Sequence, residues 1–263
     1  MFSEFISSMI LAVIQGTTEW LPISSSGHLV LFRSLLQNTG GLFLDVSLHF
    51  GTLMAVFVYF GKDILDIIRD VLSGKWGTEN GKLGFYIIVA TIPAALVGFF
   101  LRNLFEETYD NLWLLALGFA ITSVTLFIAS MDNTIKKFKK DDKITTSKAL
   151  WIGIAQAVSI VPSISRSGAT IATGLILGLK EKDAMKFSFL MSIPAILGAN
   201  ILIVGNRQIP SEFVWATIVS FVVGIATIHL LYKFVLARKK NLIWFAVYSL
   251  ILAVGILAWM TMK

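Results

Sequence analysis

Charged residues are scarce in this chain and cysteine is absent. Only 14% of the 263 residues are Asp, Glu, Lys or Arg, whereas a soluble domain carries about 25%. The absence of Cys excludes thiol catalysis, thiolate metal sites and a disulfide scaffold. Hydrophobic residues make up 56% and the mean hydropathy is +0.79. The composition excludes a soluble catalytic domain and nucleic-acid binding as a main role, and favours a helical membrane protein.

Six apolar stretches are long enough to cross about 30 Å of hydrocarbon at about 1.5 Å per residue. They predict transmembrane helices at 42–60, 83–101, 112–130, 184–204, 212–232 and 241–261. The start of the sequence, Met1 to Glu4, lacks positive charge, so no cleavable signal is expected. We therefore expect an all-α integral membrane protein with one membrane domain, 1–263.

Two further apolar regions, 4–37 and 148–180, are interrupted by polar residues, proline and glycine. Each predicts a re-entrant hairpin of two half-length helices with a polar tip, because irregular backbone at membrane depth must be buried in protein or line a cavity. With both hairpins returning to the side they enter, seventeen of the 22 Lys and Arg residues fall on one side and four on the other. The basic side is then the cytoplasmic one.

Hairpins that enter from opposite faces predict an inverted repeat, with a first repeat at 1–130, a basic cytoplasmic linker at 131–147 and a second repeat at 148–263. A shift of 141 residues superposes Gln15 on Gln156, Ser24 on Ser165, Ser26 on Ser167, Gly27 on Gly168 and Ser47 on Ser188. Inverted repeats commonly place the functional site near the bilayer midplane, between discontinuous helices.

Glu19 is the one acidic residue whose position in the sequence does not fit a loop, a helix end or a membrane interface. A carboxylate deep in an apolar segment is costly unless it has a partner, so a functional role is expected. Gln15 lies four residues earlier, where both side chains can face one ligand. The structural alternative is that both satisfy backbone groups near Pro22.

The run from Ser24 to His28 predicts the start of a second half-helix. Ser24 is the expected N-cap, and the first N–H groups of such a helix attract phosphate. His28, one turn in, could exchange a proton near neutral pH or attack phosphorus. A plain helix cap is the structural alternative.

The segment from Ser165 to Thr170 repeats this arrangement in the second hairpin. Arg166 supplies a permanent charge in a planar fork that suits phosphate oxygens. It could equally neutralise Glu19, and the two roles are compatible. Asp45 and His49, spaced by four residues, are interpreted as an interface pair near an outer helix end.

Two motifs in the sequence resemble those of bacterial undecaprenyl-diphosphate phosphatases, the bacitracin-resistance family. The stretch from Gln15 to His28 is similar to the first motif of that family, and the stretch from Pro162 to Thr170 is similar to the second. The family usually has Gly after the second motif's Pro, whereas Ser163 stands here. The turn is therefore not expected to have the positive φ that Gly permits.

The resemblance implies an enzyme of the bacterial plasma (inner) membrane that hydrolyses undecaprenyl diphosphate to the monophosphate and phosphate, with a site open to the outer face. It also implies a divalent cation, Mg²⁺ or Ca²⁺, and a homodimer is one expected assembly. Position by position it implies catalytic roles for Glu19, Ser25, His28 and Arg166. The implied substrate-binding residues are Gln15, Ser24, Ser26, Ser165, Ser167 and Thr170, and the implied metal ligands are Glu19 and Gln15.

A transporter or flippase for an anionic polyprenyl lipid is the alternative function, since broken helices in inverted repeats are a transporter architecture. A carrier would need Arg166 and the helix ends but not His28. We predict that the two tips meet, with Glu19, His28 and Arg166 lining one cavity, because an unpaired Glu and an unpaired Arg at membrane depth are each costly.

Overall fold

The computed structural model describes residues 3–131, 143–204, 210–235 and 239–262, and all regular structure within them is helical. A short 3₁₀ turn, Lys239–Asn241, precedes the last helix. The helices are α1 Glu4–Thr18, α2 Ser25–Leu36, α3 Gly41–Tyr59, α4 Gly61–Leu72, α5 Glu79–Phe100, α6 Arg102–Thr108, α7 Leu112–Ser130, α8 Thr146–Val158, α9 Arg166–Ile176, α10 Glu181–Val204, α11 Ser211–Val235 and α12 Leu242–Thr261.

Six of these helices (α3, α5, α7, α10, α11 and α12) are long and apolar enough to cross a membrane. They coincide with the six predicted spans, which are confirmed to within a few residues at each end. Residues 61–82, between the first two predicted spans, are not a simple loop, because their first half forms α4, an amphipathic helix that buries Ile64 and Ile67. Most of the predicted basic linker lies in 132–142, outside the described residues.

Two pairs of shorter helices occupy the interrupted regions. The segment 19–24 joins α1 to α2, and the segment 159–165 joins α8 to α9. Each second helix begins at the predicted serine cap: Ser24 Oγ accepts from the Gly27 N–H at 3.3 Å, and Ser165 Oγ accepts from the Gly168 N–H at 3.0 Å. The N–H groups of the first helical residues have no partner within their own helix, as at any helix start.

The two connecting segments pack against each other near the centre of the molecule. Ser167 Oγ donates to the Leu21 carbonyl at 3.0 Å, which ties the second helix pair to the first. A Cβ atom added to Gly27 would lie 2.6 Å from both Phe119 and Ser163 Oγ. Glycine at position 27 therefore lets α2 approach the second connecting segment closely.

The largest apolar core lies beside these connections. Trp20 is fully buried and packs edge-on against Phe189, with ring centroids 5.0 Å apart. Phe60 and Tyr232 extend this aromatic cluster, each with a centroid about 6 Å from that of Phe189. The rigid rings hold the first connecting segment against α10 and α11.

Candidate active site

A cavity of about 550 Å³ lies where the two connecting segments meet, and it extends between α5 and α10. Its polar lining groups come from both sequence motifs. They are Glu19, Ser24, Ser25, Ser26, Ser165, Arg166 and Ser167, joined by His49 and Gln156. The opposite wall consists mainly of small and apolar residues of α5 and α10, including Ala94, Ala95, Gly98, Ala195, Gly198 and Ala199.

Glu19 is the centre of the polar end. Its side chain is only 5% exposed. One carboxylate oxygen, Oε1, accepts from Arg166 Nη2 at 2.5 Å. The other, Oε2, accepts from Ser25 Oγ at 2.6 Å and from Gln15 Nε2 at 2.9 Å, and lies 3.4 Å from His49 Nε2. The carboxylate thus has the partners that a buried charge requires.

Arg166 is held from three sides. Besides Glu19, its guanidinium contacts the Ser188 carbonyl at 3.4 Å and lies 5.3 Å from the ring centre of Trp20. A planar guanidinium has five N–H donors, so these contacts leave donors that can point into the cavity. The pair therefore combines a fixed negative charge with a cation that can still bind an anion.

The structure brings most of the predicted site residues together, and the predicted meeting of Glu19 and Arg166 in one cavity is confirmed. Gln15 and Thr170 do not line that cavity. Gln15 lies behind Glu19, and Thr170 Oγ1 contacts Ser188 Oγ at 2.6 Å and donates to its own helix. These two residues can support the site but are not placed to touch a ligand in the cavity.

The predicted position of His28 in the cavity is wrong. Its ring is 3% exposed and turns toward α12. Nδ1 lies 2.6 Å from the Ser24 carbonyl oxygen and Nε2 lies 2.7 Å from Tyr248 Oη, while the two rings are stacked. Because a carbonyl only accepts, Nδ1 carries a proton, and a neutral His28 accepts from Tyr248 through Nε2.

The interpretation of Asp45 and His49 as an interface pair is also wrong. The Asp45 carboxylate is buried and pairs with Arg33, whose other terminal nitrogen contacts Asp110 at 2.7 Å. Burial raises the pKa of the Tyr109 phenol well above its usual range, so Tyr109 stays protonated and donates to Asp45 at 3.3 Å. His49 lines the cavity beside Glu19, and its Nδ1 lies 2.7 Å from the backbone carbonyl oxygen of Asp45.

The turn that contains Ser163 differs from expectation as well. Ser163 has a φ of +66°, so the positive φ that glycine favours is present although the residue is serine. Thr122 Oγ1 donates to the Ser163 carbonyl at 3.3 Å and accepts from the Ser165 N–H at 2.9 Å. These contacts from α7 hold the turn in a conformation that the local sequence disfavours.

Two cavity residues, His49 and Gln156, are not among the predicted site residues. The superposition of Gln156 on Gln15 is a sequence signal that could have identified Gln156. For His49 the sequence offers no comparable signal, since α3 is apolar on most of its surface.

The cavity does not by itself form a cation site. The described residues contain no group of three or more His, Asp or Glu side chains that could hold a metal ion. Among the lining residues Glu19 is the sole carboxylate, and Arg166 already pairs with it. Gln15 Oε1 is buried and has no hydrogen-bond partner among the described residues. One amide oxygen and one shared carboxylate would fill only part of the coordination shell of Mg²⁺ or Ca²⁺, and waters or substrate phosphates would supply the rest.

These features define a class: a multi-pass membrane protein with a buried cavity that can bind an anion beside a serine hydroxyl. The family described as "Bacitracin resistance protein BacA" matches residues 8–255. The chain belongs to this family.

Its curated relatives share nearly the full length of the chain. The undecaprenyl-diphosphatase of Caldicellulosiruptor bescii is 42% identical over an alignment of 263 positions, which covers 97% of each chain. That of Thermosipho melanesiensis is 39% identical and covers 94% of this chain and 96% of its own. That of Methanococcus vannielii is 38% identical, with 89% and 92% covered.

Proposed function

We propose that this chain hydrolyses undecaprenyl diphosphate to undecaprenyl phosphate and inorganic phosphate. The observation that carries the proposal is that one carboxylate, Glu19, contacts both a serine hydroxyl and an arginine inside the cavity. A base, a nucleophile and a phosphate-binding cation are the groups that this reaction requires. The names of the relatives agree with it.

Ser25 is the nucleophile in this proposal. It lines the cavity and its Oγ already donates to Glu19. Ser25 Oγ attacks the terminal phosphorus, Glu19 takes the hydroxyl proton, and undecaprenyl phosphate leaves with the bridging oxygen. Water then attacks the phosphoserine, which breaks the bond from phosphorus to Oγ and releases inorganic phosphate. The proton held by Glu19 returns to Ser25.

Arg166 binds the terminal phosphate through the donors that Glu19 does not use. Ser26, Ser165 and Ser167 surround the same position, and the two helix starts direct their N–H groups and the positive ends of their dipoles toward it. Charge that develops on the phosphoryl oxygens is stabilised by these fixed groups, which need no reorganisation during the reaction.

His28 acts as a positioning residue. Its Nδ1–H holds the carbonyl of Ser24, the residue that precedes Ser25 and has a φ of +67°. Tyr248 fixes the ring from the other side. His28 therefore holds the backbone at Ser24 and, through it, sets the direction in which the Ser25 side chain points. Attack by His28 itself would require the ring to break both contacts.

A requirement for a divalent cation is a separate proposal. Because the lining residues supply one carboxylate, already shared with Arg166, no step of the mechanism is assigned to a cation. Dependence of phosphate release on Mg²⁺ or Ca²⁺ after treatment with a chelator would test it.

The membrane arrangement that fits this chemistry is an inverted repeat with two re-entrant hairpins, α1–α2 and α8–α9, whose tips form the polar end of the cavity. The charge asymmetry of the loops roots the α1–α2 hairpin in the outer face. Glu19 and Ser25 lie on this hairpin, which supports an outward-facing site. Exposed Ala95 of α5 and Ala199 of α10 line the apolar wall, which supports an exit of the polyprenyl chain between these helices into lipid.

The homodimer stays a prediction, which crosslinking in native membranes would test.

The decisive experiment is phosphate release from undecaprenyl diphosphate by the purified chain in detergent, where no membrane separates two sides. We expect release by the wild type, and loss of at least about 1,000-fold in Ser25→Ala, since a nucleophile is removed. Ser73→Ala, at an exposed turn far from the cavity, is the control. Binding of the lipid without any release of phosphate would instead favour a carrier.

A further inference from the structure

Gln156 is a buried polar residue to which the mechanism gives no role. It lies near the end of α8, is 2% exposed, and lines the cavity. Neither its Nε2 nor its Oε1 has a hydrogen-bond partner within the described part of the chain. A buried amide left without partners costs folding free energy, so a ligand that satisfies it is the simplest reason for its presence.

The equivalent residue of the first motif shows what Gln156 lacks. Gln15 Nε2 donates to Glu19 at 2.9 Å and lies 3.5 Å from Thr52 Oγ1. The same shift of 141 residues that superposes Gln15 on Gln156 places Ile160 and Ile193 at the positions of Glu19 and Thr52. The second motif thus has the amide without its acceptors, which leaves the donor available to a molecule in the cavity.

Packing places Gln156 beside the apolar wall. Residues 153 and 156 share one face of α8, and Ile160 follows the end of the helix in the second connecting segment. A Cβ added to Gly153 would collide with the Ala90 backbone of α5, and one added to Gly98 would lie 3.7 Å from Ile160 Cδ1. Gln156 lies between these two contacts with α5, on the side of the cavity where the polyprenyl chain leaves.

We propose that Gln156 binds the inner, chain-bearing phosphate of the substrate through its Nε2–H. The inference rests on the proposed function, which puts the terminal phosphate at Ser25 and Arg166 and the chain along α5 and α10. The inner phosphate must then lie between them, beside Gln156, whose buried Nε2–H has no hydrogen-bond partner among the described residues. An amide donor holds this phosphate without adding charge.

The products of the reaction separate the two phosphate positions. Undecaprenyl phosphate retains the inner phosphate, and inorganic phosphate derives from the terminal one. Calorimetric titration of the detergent-purified chain measures both affinities. The lipid is titrated with inorganic phosphate present, so that the terminal position is already filled. For Gln156→Leu we expect the affinity for undecaprenyl phosphate to fall about 10-fold, the effect of a lost hydrogen bond to a charged group. The affinity for inorganic phosphate should change by less than about twofold.

Two further variants sharpen the test. Gln156→Glu places a negative charge beside the phosphate and should bind the lipid more weakly than Gln156→Leu. Thr91→Val is the matched control, because the Thr91 hydroxyl also lines the cavity but donates to its own helix at Ile87. It should bind both ligands as the wild type does.

Thermal unfolding distinguishes a ligand-binding role from a structural one. Gln156→Leu removes two unpartnered polar atoms, so the ligand-free variant should unfold at the same temperature as the wild type or higher. A lower Tm, equal losses for both ligands, or no loss for either would overturn the inference. Because titration needs no turnover, a selective loss in a chain that releases no phosphate would refute the proposed hydrolysis and leave the phosphate ligand in place.

Discussion

Glu19 and Arg166 are 147 residues apart in the sequence, and their side chains are joined by a hydrogen bond of 2.5 Å. Glu19 lies in the first connecting segment and Arg166 is the first residue of α9, so this pair marks the point where the two halves of the chain meet. A buried ion pair of this kind contributes little net stability, because desolvation offsets the attraction. Its contact with Ser25 is the basis of the role that the proposed mechanism gives to the pair.

Arg166→Lys tests whether the guanidinium does more than neutralise Glu19. Lysine keeps the charge but cannot bind carboxylate and phosphate with a planar fork. We expect phosphate release to fall about 100-fold or more, the usual effect of removing one oriented donor from a reacting oxyanion. Circular dichroism and the elution volume in detergent should match the wild type. Near-normal turnover would mean that Arg166 only balances the charge of Glu19.

His28→Asn and His28→Gln separate positioning from proton transfer. The Asn side-chain amide can replace Nδ1–H and still donate to the Ser24 carbonyl, whereas the Gln amide reaches the position of Nε2. If His28 positions Ser25, the Asn variant should retain at least about ten times the activity of the Gln variant, a factor that one retained hydrogen bond supplies. Steady-state phosphate release is the measurement. Equal and complete loss in both variants would instead assign the imidazole a direct chemical role.

Ser163→Gly should stabilise the protein. Ser163 has a positive φ that costs an L-residue about 1–2 kcal/mol, and its buried hydroxyl has no hydrogen-bond partner in the residues that the structure describes. Glycine removes both costs, although it loses more backbone entropy on folding, so we expect a net gain of about 1 kcal/mol. Thermal unfolding in detergent measures it. Ser73→Gly is the control, since Ser73 has a φ of −84° and should gain nothing from glycine. A lower Tm for Ser163→Gly would show that the hydroxyl supports the turn.

The six spans and the two interrupted regions could be predicted because they depend on local hydropathy and on Pro and Gly in the chain. The meeting of Glu19 with Arg166 followed from the cost of an isolated charge. The orientation of His28 could not, because Tyr248, 220 residues away, turns the ring. His49 was missed because α3 is apolar almost all round, so its sequence does not indicate which face meets α1. The turn at Ser163 follows contacts from α7, which override the local preference.

Cysteine labelling tests the direction in which the cavity opens. The chain has no Cys, so a single substitution gives an unambiguous signal. Ser26 lines the cavity and is partly exposed, whereas Ser73 follows α4 in a segment expected on the cytoplasmic side. A membrane-impermeant thiol reagent added outside intact cells should label Ser26→Cys, because the proposed cavity opens to the outer face. It should leave Ser73→Cys unlabelled, because that residue is expected on the cytoplasmic side.

Inverted vesicles provide the reciprocal measurement. There Ser73→Cys should react and Ser26→Cys should not. Undecaprenyl diphosphate should protect Ser26→Cys, since the terminal phosphate occupies the same end of the cavity. Labelling of Ser26→Cys only from the cytoplasmic side would reverse the proposed orientation. Equal labelling from both sides would mean that the cavity alternates between the two faces, as a carrier requires.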